Sequence, residues 1–301
     1  MNAHSKRTER FYDDYPFPQL DHKQIINNSE NQRKNFVDRG LPESYFEDPI
    51  QVIDVGCGTG SFALAFALAN PNSSLLGINI SERSIEYAEK YATELGIKNA
   101  EFRKADLFEL RGDNSGQKYN LVNCRGVLHH TPDPMRGLTI VSELVGDGGF
   151  LLIGLYHHGR YRVRVMRLIL RLLAGKNSAK RVRLAWRLFP KHCKKHVSKG
   201  FLEGTRTPLL DDLSIADKFA VPKESYHSFA KTNSILRSKG FVIYSKNVSI
   251  PEKRIRRERF IHNIVNLAPG FSKLFKDDLA DDILGLMRRK EMLVVLAQRK
   301  Y

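Results

Sequence analysis

Cysteine is scarce in this sequence. The 301 residues hold three, Cys57, Cys124 and Cys193, too few and too odd a number for a disulfide framework. A reducing, cytoplasmic compartment is therefore expected. No stretch of about 18 apolar residues occurs, so no membrane-spanning helix is expected. The opening Met-Asn-Ala-His-Ser-Lys-Arg-Thr-Glu-Arg has no apolar core segment and is not expected to act as a secretory leader. No internal repeat or low-complexity tract is found, so no repeat architecture is expected. Acidic residues are missing altogether from Tyr156 to Gly200, a stretch with 14 Lys and Arg.

What is present is an ordinary globular composition, 42% hydrophobic and 27% charged, enough for one large α/β domain with a sizeable insertion. The net charge of +16 is divided unevenly. Residues 1–150 sum to −5 and residues 151–301 to +21, so the two halves are expected to face different partners.

From residue 50 the chain alternates between strand-like and helix-like patterns. Pro49 to Val55 reads as a buried strand ending in a glycine-rich turn. Ser61 to Ala69 is apolar nearly all round and reads as a buried helix. Ser74 to Ile80 is a second strand, and Ser81 is placed to cap a helix that ends near Gly96. Ala100–Asp106, Tyr119–Cys124 and Phe150–Leu155 give three more strands, with a helix over 134–145. Gly240–Tyr244 and Met292–Ala297 complete the set. The pattern predicts a doubly wound, seven-stranded, Rossmann-like α/β sheet. Its expected divisions are an arm or lid over 1–48, a core over 49–155, a basic helical cap over 156–232, and a completion of the sheet over 233–301. That last part contains a second insertion, 252–290, opening on Lys253-Arg-Ile-Arg-Arg257.

Asp54-Val-Gly-Cys-Gly-Thr-Gly60 follows the first strand. Glycines here let the backbone turn sharply and approach a ligand closely. The spacing Gly-x-Gly-x-Gly, with an acid two residues ahead, departs from the Gly-x-Gly-x-x-Gly turn of dinucleotide enzymes. It suits a nucleoside that carries an amino acid. Further segments follow in order: Leu76 to Ser81, Lys104-Ala-Asp-Leu107, Gly126 to Pro134, and Gly148-Gly-Phe150. Together these resemble class I S-adenosylmethionine (SAM)-dependent methyltransferases, of the type 11/12-like, ubiquinone-biosynthesis-like subgroup. They cover residues 50–155, and Tyr15-Pro-Phe-Pro18 resembles the arm of a bacterial subset.

The resemblance implies SAM as cofactor. Gly56, Gly58 and Gly60, with Cys57 in the turn, would line its methionine and ribose. Asp54 would orient its amino group. Asn79 and Ile80 would sit at the ribose, with Asn79 where the family has Asp or Glu, so a charge-assisted bond is lost there. Asp106 would accept from the adenine amine beside Ala105 and Leu107, and Arg125 and Gly126 would face the sulfonium end. Asp106 also fits a simple turn cap.

Methyl transfer is chiefly alignment, helped by a base where the acceptor is a hydroxyl or protonated amine. His129 or His130 fits that base, or the pair shapes a loop. Tyr12 and Tyr15 in the arm are expected either at the site, with Tyr15 in a catalytic role, or as anchors on the sheet edge. Tyr156, Arg160, Arg164 and Tyr226 are expected at the substrate. Residues 211–227 read as a polar connector offering Asp217, Tyr226 or His227. His192, Cys193 and His196 lack a fourth ligand, so no metal is expected.

In the basic stretch, Arg160, Arg164, Arg167 and Arg171 recur at helical spacing against Val165, Met166, Ile169, Leu172 and Leu173. A turn at 175–178 and a second segment, Lys180, Arg183 and Arg187 against Val182, Trp186 and Phe189, make a helical hairpin. Three uses stay open for residues 156–200: contact with a polyanion such as tRNA, contact with an anionic membrane, or a cap over an acidic small molecule with its apolar face on the core. The expected function is methyl transfer to an anionic, small-molecule acceptor. The alternatives are a tRNA-modifying or membrane-associated lipid or quinone methyltransferase, or a silent SAM-fold binding protein.

Overall fold

A strand–helix alternation runs through the chain. The computed structural model describes residues 3–19, 21–112, 117–197, 208–246, 279, 281–283 and 292–300. Its strands are β1 (Gln51–Val55), β2 (Ser74–Asn79), β3 (Ala100–Lys104), β4 (Tyr119–Arg125), β5 (Val145–Tyr156), β6 (Phe241–Lys246) and β7 (Met292–Arg299). They form one seven-stranded sheet in the order β3-β2-β1-β4-β5-β7-β6. β1 to β5 are mutually parallel, and β7 lies antiparallel between β5 and β6. The parallel strands are covered on both faces, which is why β1 buries four consecutive residues, Val52 to Val55. The strand order turns back at β1 and β4, and a ligand in such a sheet binds beyond the carboxyl ends at that point.

The helices before and between these strands are α1 (Ala3–Asp14), α2 (His22–Glu30), α3 (Gln32–Val37), α4 (Ser61–Ala69), α5 (Glu82–Glu94) and α6 (Pro134–Glu143). α4 buries six consecutive residues, Phe62 to Ala67, as its all-round apolar pattern predicts. Ser81 caps α5 by accepting from the Ser84 amide. Between β5 and β6 come α7 (Tyr161–Ala174), α8 (Ser178–Leu188), α9 (Pro190–Val197), α10 (Pro208–Phe219) and α11 (Phe229–Ser238). Apolar clusters cover both faces of the sheet, and a third joins Val163, Leu170, Val182, Ala185, Ile215 and Phe219 of the cap helices to Phe11 of α1.

Two expectations change, and the arm gains an element: α1 runs to Asp14, because the helix-breaking prolines start only at Pro16. β5 begins at Val145, not Phe150, since Val145 pairs with Tyr119 ahead of a register shift. The polar connector from Asp211 is largely α10, whose Leu213, Ile215, Ala216 and Phe219 are buried. Its aspartates masked a helical apolar spacing. The 252–290 insertion and the Lys253–Arg257 run lie outside the described residues apart from 279 and 281–283. Among the described residues no helix is long and apolar enough to cross a membrane.

Candidate active site

The turn after β1 opens a cavity of about 410 Å³ beyond the carboxyl ends of the strands, within the size range of small-ligand pockets. Gly56 and Gly58 have positive φ, 76° and 57°. A Cβ on Gly56 would fall 2.3 Å from Cγ2 of Val127, and one on Gly58 would fall 2.3 Å from the Phe17 carbonyl oxygen. The turn therefore admits only glycine at both places. Gly60 shares the positive φ, 88°, but differs in its surroundings: its added Cβ would meet Leu64 and Ala88, so it serves the turn into α4 and helix packing and does not line the cavity. All other residues expected at the cofactor line it: Asp54, Gly56, Cys57, Gly58, Asn79, Ile80, Ala105, Asp106, Leu107, Arg125 and Gly126.

Their polar atoms are individually placed. Asp54 is buried and accepts from Nδ2 of Asn123 at 2.6 Å. Burial pushes its carboxyl up to about 6, opposed by the Asn123 bond and by Arg125. Asn123 is a residue the sequence reading missed. The signal was an amide among apolar residues in the middle of the strand, in register with Asp54. Asp106 accepts from the Phe108 amide at 3.0 Å, so it caps a turn while lining the cavity. The Asn79 side-chain Oδ1 accepts from the Ser81 amide at 2.9 Å, which leaves its NH2 as the group to offer a ligand. Arg125 donates from Nε to Asn123 Oδ1 at 3.0 Å and lies over the Phe62 ring. Burial pushes the Cys57 thiol well up, with Asp54 adding to the effect, so it is held neutral.

The two histidines separate. His129 is fully buried, stacks on Tyr156 with centroids 3.6 Å apart, and accepts the Tyr156 amide at Nδ1. It does not line the cavity, and its place is structural. His130 does line it. Its Nδ1 lies 2.8 Å from the Lys223 carbonyl oxygen, which can only accept, so Nδ1 carries the proton and Nε2 is the basic nitrogen. Burial holds its pKa below the ordinary value, with Asp217 and Glu224 opposing.

Tyr12, Tyr156 and Asp217 close the same end, and Tyr12 donates to Asp217 Oδ1 at 3.2 Å. Tyr15, expected in a catalytic role, stacks on Phe11 away from the cavity. Arg160, Arg164 and Tyr226, expected at the substrate, are not in the lining either. A buried guanidinium needs a carboxylate, and Arg160 finds Glu224 at 3.2 Å and the Tyr156 ring at 3.8 Å. Arg164 stacks on Tyr226, whose hydroxyl donates to Glu224. Glu224, also missed by sequence, also pairs with Arg167 at 3.1 Å. Among the described residues no group of three or more His, Cys, Asp or Glu side chains is placed to hold a metal.

The arm spans the cavity mouth. Ser5, Thr8, Tyr12, Phe17 and Pro18 line it. His4 Nε2 donates to the His130 carbonyl at 3.1 Å, Asp13 accepts from the Ser81 hydroxyl at 2.7 Å, and Glu9 pairs with Lys104 at 2.9 Å. The Thr59 hydroxyl donates to the Pro18 carbonyl, joining the arm to the glycine turn.

A parallel sheet with a glycine cradle at its switch point, flanked by acids at the ends of β1 and β3, defines a nucleoside-binding α/β domain. Residues 46–195 match the model of a methyltransferase domain family. The ubiquinone biosynthesis O-methyltransferase of Leptothrix cholodnii is 34% identical over 106 residues, 35% of this chain and 44% of that one. The Bordetella avium protein of the same name is 36% identical over 101 residues, 34% of this chain and 40% of that one. The chain thus spans less than half the length of these relatives. PKMT2 from Rickettsia typhi shares the fold at a TM-score of 0.61 and 16% identity, over 95% of this chain and 56% of that one. Residues 46–195 therefore carry a methyltransferase domain of the class I SAM-dependent type, a class whose methyl donor is SAM. The cradle that a Cβ would fill at Gly56 and Gly58, with Asp54, Asn79 and Asp106 around it, fits that nucleoside.

Proposed function

We propose that this protein methylates a hydroxyl oxygen on an uncharged, largely apolar acceptor, with His130 as general base. The observation that carries the reading is the fixed tautomer of His130 at the cavity. SAM supplies an electrophilic methyl group on a sulfonium. Asp54 would hold the cofactor's amino group, Asn79 its ribose and Asp106 its adenine, and Arg125, linked to Asp54 through Asn123, would take the carboxylate rather than face the sulfonium as the resemblance implies. Tyr12, Tyr156 and Asp217 orient the acceptor, and His130 Nε2 accepts its hydroxyl proton. The arm excludes water. A neutral imidazole is favoured by burial, so the base form persists through neutral pH.

The anionic acceptor suggested by the basic half has less support. Arg160, Arg164 and Arg167, its arginines nearest the cavity, are engaged with Glu224 and Tyr226, and Asp217 is the acid at the acceptor end. An apolar acceptor is also consistent with Phe17, Tyr156, Met292 and Val294 in the lining. The relatives' name, O-methyltransferase, gives the same reaction class. A cytoplasmic location belongs to the reading and is supported by three free cysteines.

The test has two stages. Calorimetric titration with SAM should show binding that is lost in Gly58→Arg; no binding by the native chain would leave a silent fold. Turnover is then measured on a panel of phenols and hydroquinones against amines and tRNA. His130→Asn should lower kcat by about 10²–10⁴-fold with SAM affinity unchanged. Unchanged kcat, or methylation of tRNA alone, defeats the proposal.

A further inference from the structure

α7 is amphipathic on two sides. Its inward side carries the buried Val163, Leu170 and Ala174 together with Arg167, and Arg160 at the N-cap also turns inward. Arg160 and Arg167 both pair with Glu224, and Arg167 also donates to the carbonyls of Lys218 and Val221. A second apolar stripe faces out. Tyr161, Val165, Leu168, Ile169, Leu172 and Leu173 are all exposed, Leu172 at 76%. Helical geometry places positions 161, 165, 168 and 172 in one line, with 169 and 173 beside it, over roughly 18 Å. Isolated exposed apolar residues are ordinary, whereas a continuous stripe marks a contact surface.

The surrounding charge selects the partner. Residues 156–197 contain no carboxylate. Exposed Arg162 and Arg171 edge the stripe, and exposed Lys180, Arg183, Arg187 and Lys191 follow on α8 and α9. A second copy docked here would bring one basic surface onto another. A polyribonucleotide would satisfy the lysines and arginines but leave six apolar side chains wet. A bilayer with anionic headgroups satisfies both sets at once.

We propose that α7 lies in the interface plane of an anionic lipid bilayer. The stripe from Tyr161 to Leu173 sits at the acyl boundary, and the flanking basic side chains lie at the headgroups. The surface is independent of the methyl-transfer reading and is tested without it. It is also compatible with an acceptor taken from the membrane.

Co-sedimentation of the full chain is measured with vesicles of phosphatidylcholine, alone or mixed with phosphatidylglycerol. Binding is expected to the mixed vesicles only. Leu168→Asp with Leu172→Asp should weaken it roughly tenfold or more, while SAM affinity and melting temperature hold. A Leu172→Trp variant, which keeps the helix should the double variant fail to fold, should show blue-shifted emission on anionic vesicles, read against the native chain with Trp186 alone. The proposal is overturned if the native chain stays in solution, if the double aspartate variant folds and binds as the native chain does, or if the emission of the Leu172→Trp variant does not shift. Binding of tRNA without binding of anionic vesicles overturns it as well. So does a native dimer that the double variant dissociates, with no vesicle binding.

Discussion

The cofactor half and the basic cap are built on opposite terms. In residues 49–155 the sequence pattern maps directly onto position. The glycine spacing gives the cradle, and the alternation of elements gives the parallel strands whose carboxyl ends carry Asp54, Asn79 and Asp106. In the cap the same kind of pattern, basic against apolar at helical spacing, holds but does not say which side is buried. Leu168, Leu172 and Leu173 are exposed, while Arg160 and Arg167 turn inward beside the buried Val163 and Leu170. A periodicity establishes that a helix has two faces and leaves open which one is buried. The choice is made elsewhere, here by Glu224, more than fifty residues downstream of Arg167.

The sharpest way to break the comparison is to remove that choice. The Glu224 side chain is 2% exposed and that of Arg160 4%. Glu224→Leu leaves two guanidiniums without their shared carboxylate, a loss of about 3–5 kcal/mol. Thermal or urea unfolding should show a melting point several degrees lower, and Tyr226 and Arg164 should lose their alignment. If stability is unchanged, the inward arginines do not depend on Glu224, and the orientation of α7 has another cause.

The cofactor half predicts a pH effect of middle size. The Asp54 carboxyl is pushed up to about 6 in the fold, above the ordinary value near 4. It is ionised above that pH and neutral below. A cationic amino group on the ligand should therefore bind more tightly as pH rises through about 6, by up to roughly tenfold per unit below it. A raised carboxyl pKa means the native chain holds the proton more strongly, so its contribution to stability declines between about pH 4 and 6 and stays reduced above. Asp54→Asn keeps an oxygen for Asn123 and should raise the melting temperature at neutral pH. It should also weaken SAM binding and flatten its pH profile, measured by titration at pH 5 to 8. A flat profile in the native chain would remove Asp54 from the amino group.

How much of this was legible depends on sequence distance. The glycine turn, the N-cap of α5 and the buried helix α4 are local patterns, and they were readable. The partners that give the site its chemistry are not local. Asn123 reaches Asp54 across 69 positions, the Lys223 carbonyl reaches His130 across 93, and Asp217 reaches Tyr12 across 205. Nothing in the histidine pair itself distinguishes His129 from His130. The difference lies in which backbone group each ring meets, the Tyr156 amide for one and the Lys223 carbonyl for the other. Gly60 shows the converse. It belongs to the motif, but its neighbours are Leu64 and Ala88, so its place in the spacing reflects helix packing.

The smallest effect tests the one departure within the legible half. By the family resemblance Asn79 takes the place of an acid, and its Oδ1 is already occupied by the Ser81 amide. An aspartate could keep that bond with one oxygen and present the other, charged, to a ribose hydroxyl. A charge-assisted hydrogen bond exceeds a neutral one by about 1 kcal/mol, so Asn79→Asp should tighten SAM by roughly fivefold. It also places a carboxylate near the end of β2, beside the N-terminus of α5, where the helix dipole favours negative charge. Both terms act in the same direction, so a modest gain is expected in titration calorimetry, with kcat little altered. Weaker binding would mean that the Asn79 NH2 donates a bond an acid cannot supply. That would fit a ligand group acting as acceptor at the ribose position, and the nucleoside would then be gripped differently here than elsewhere in the family.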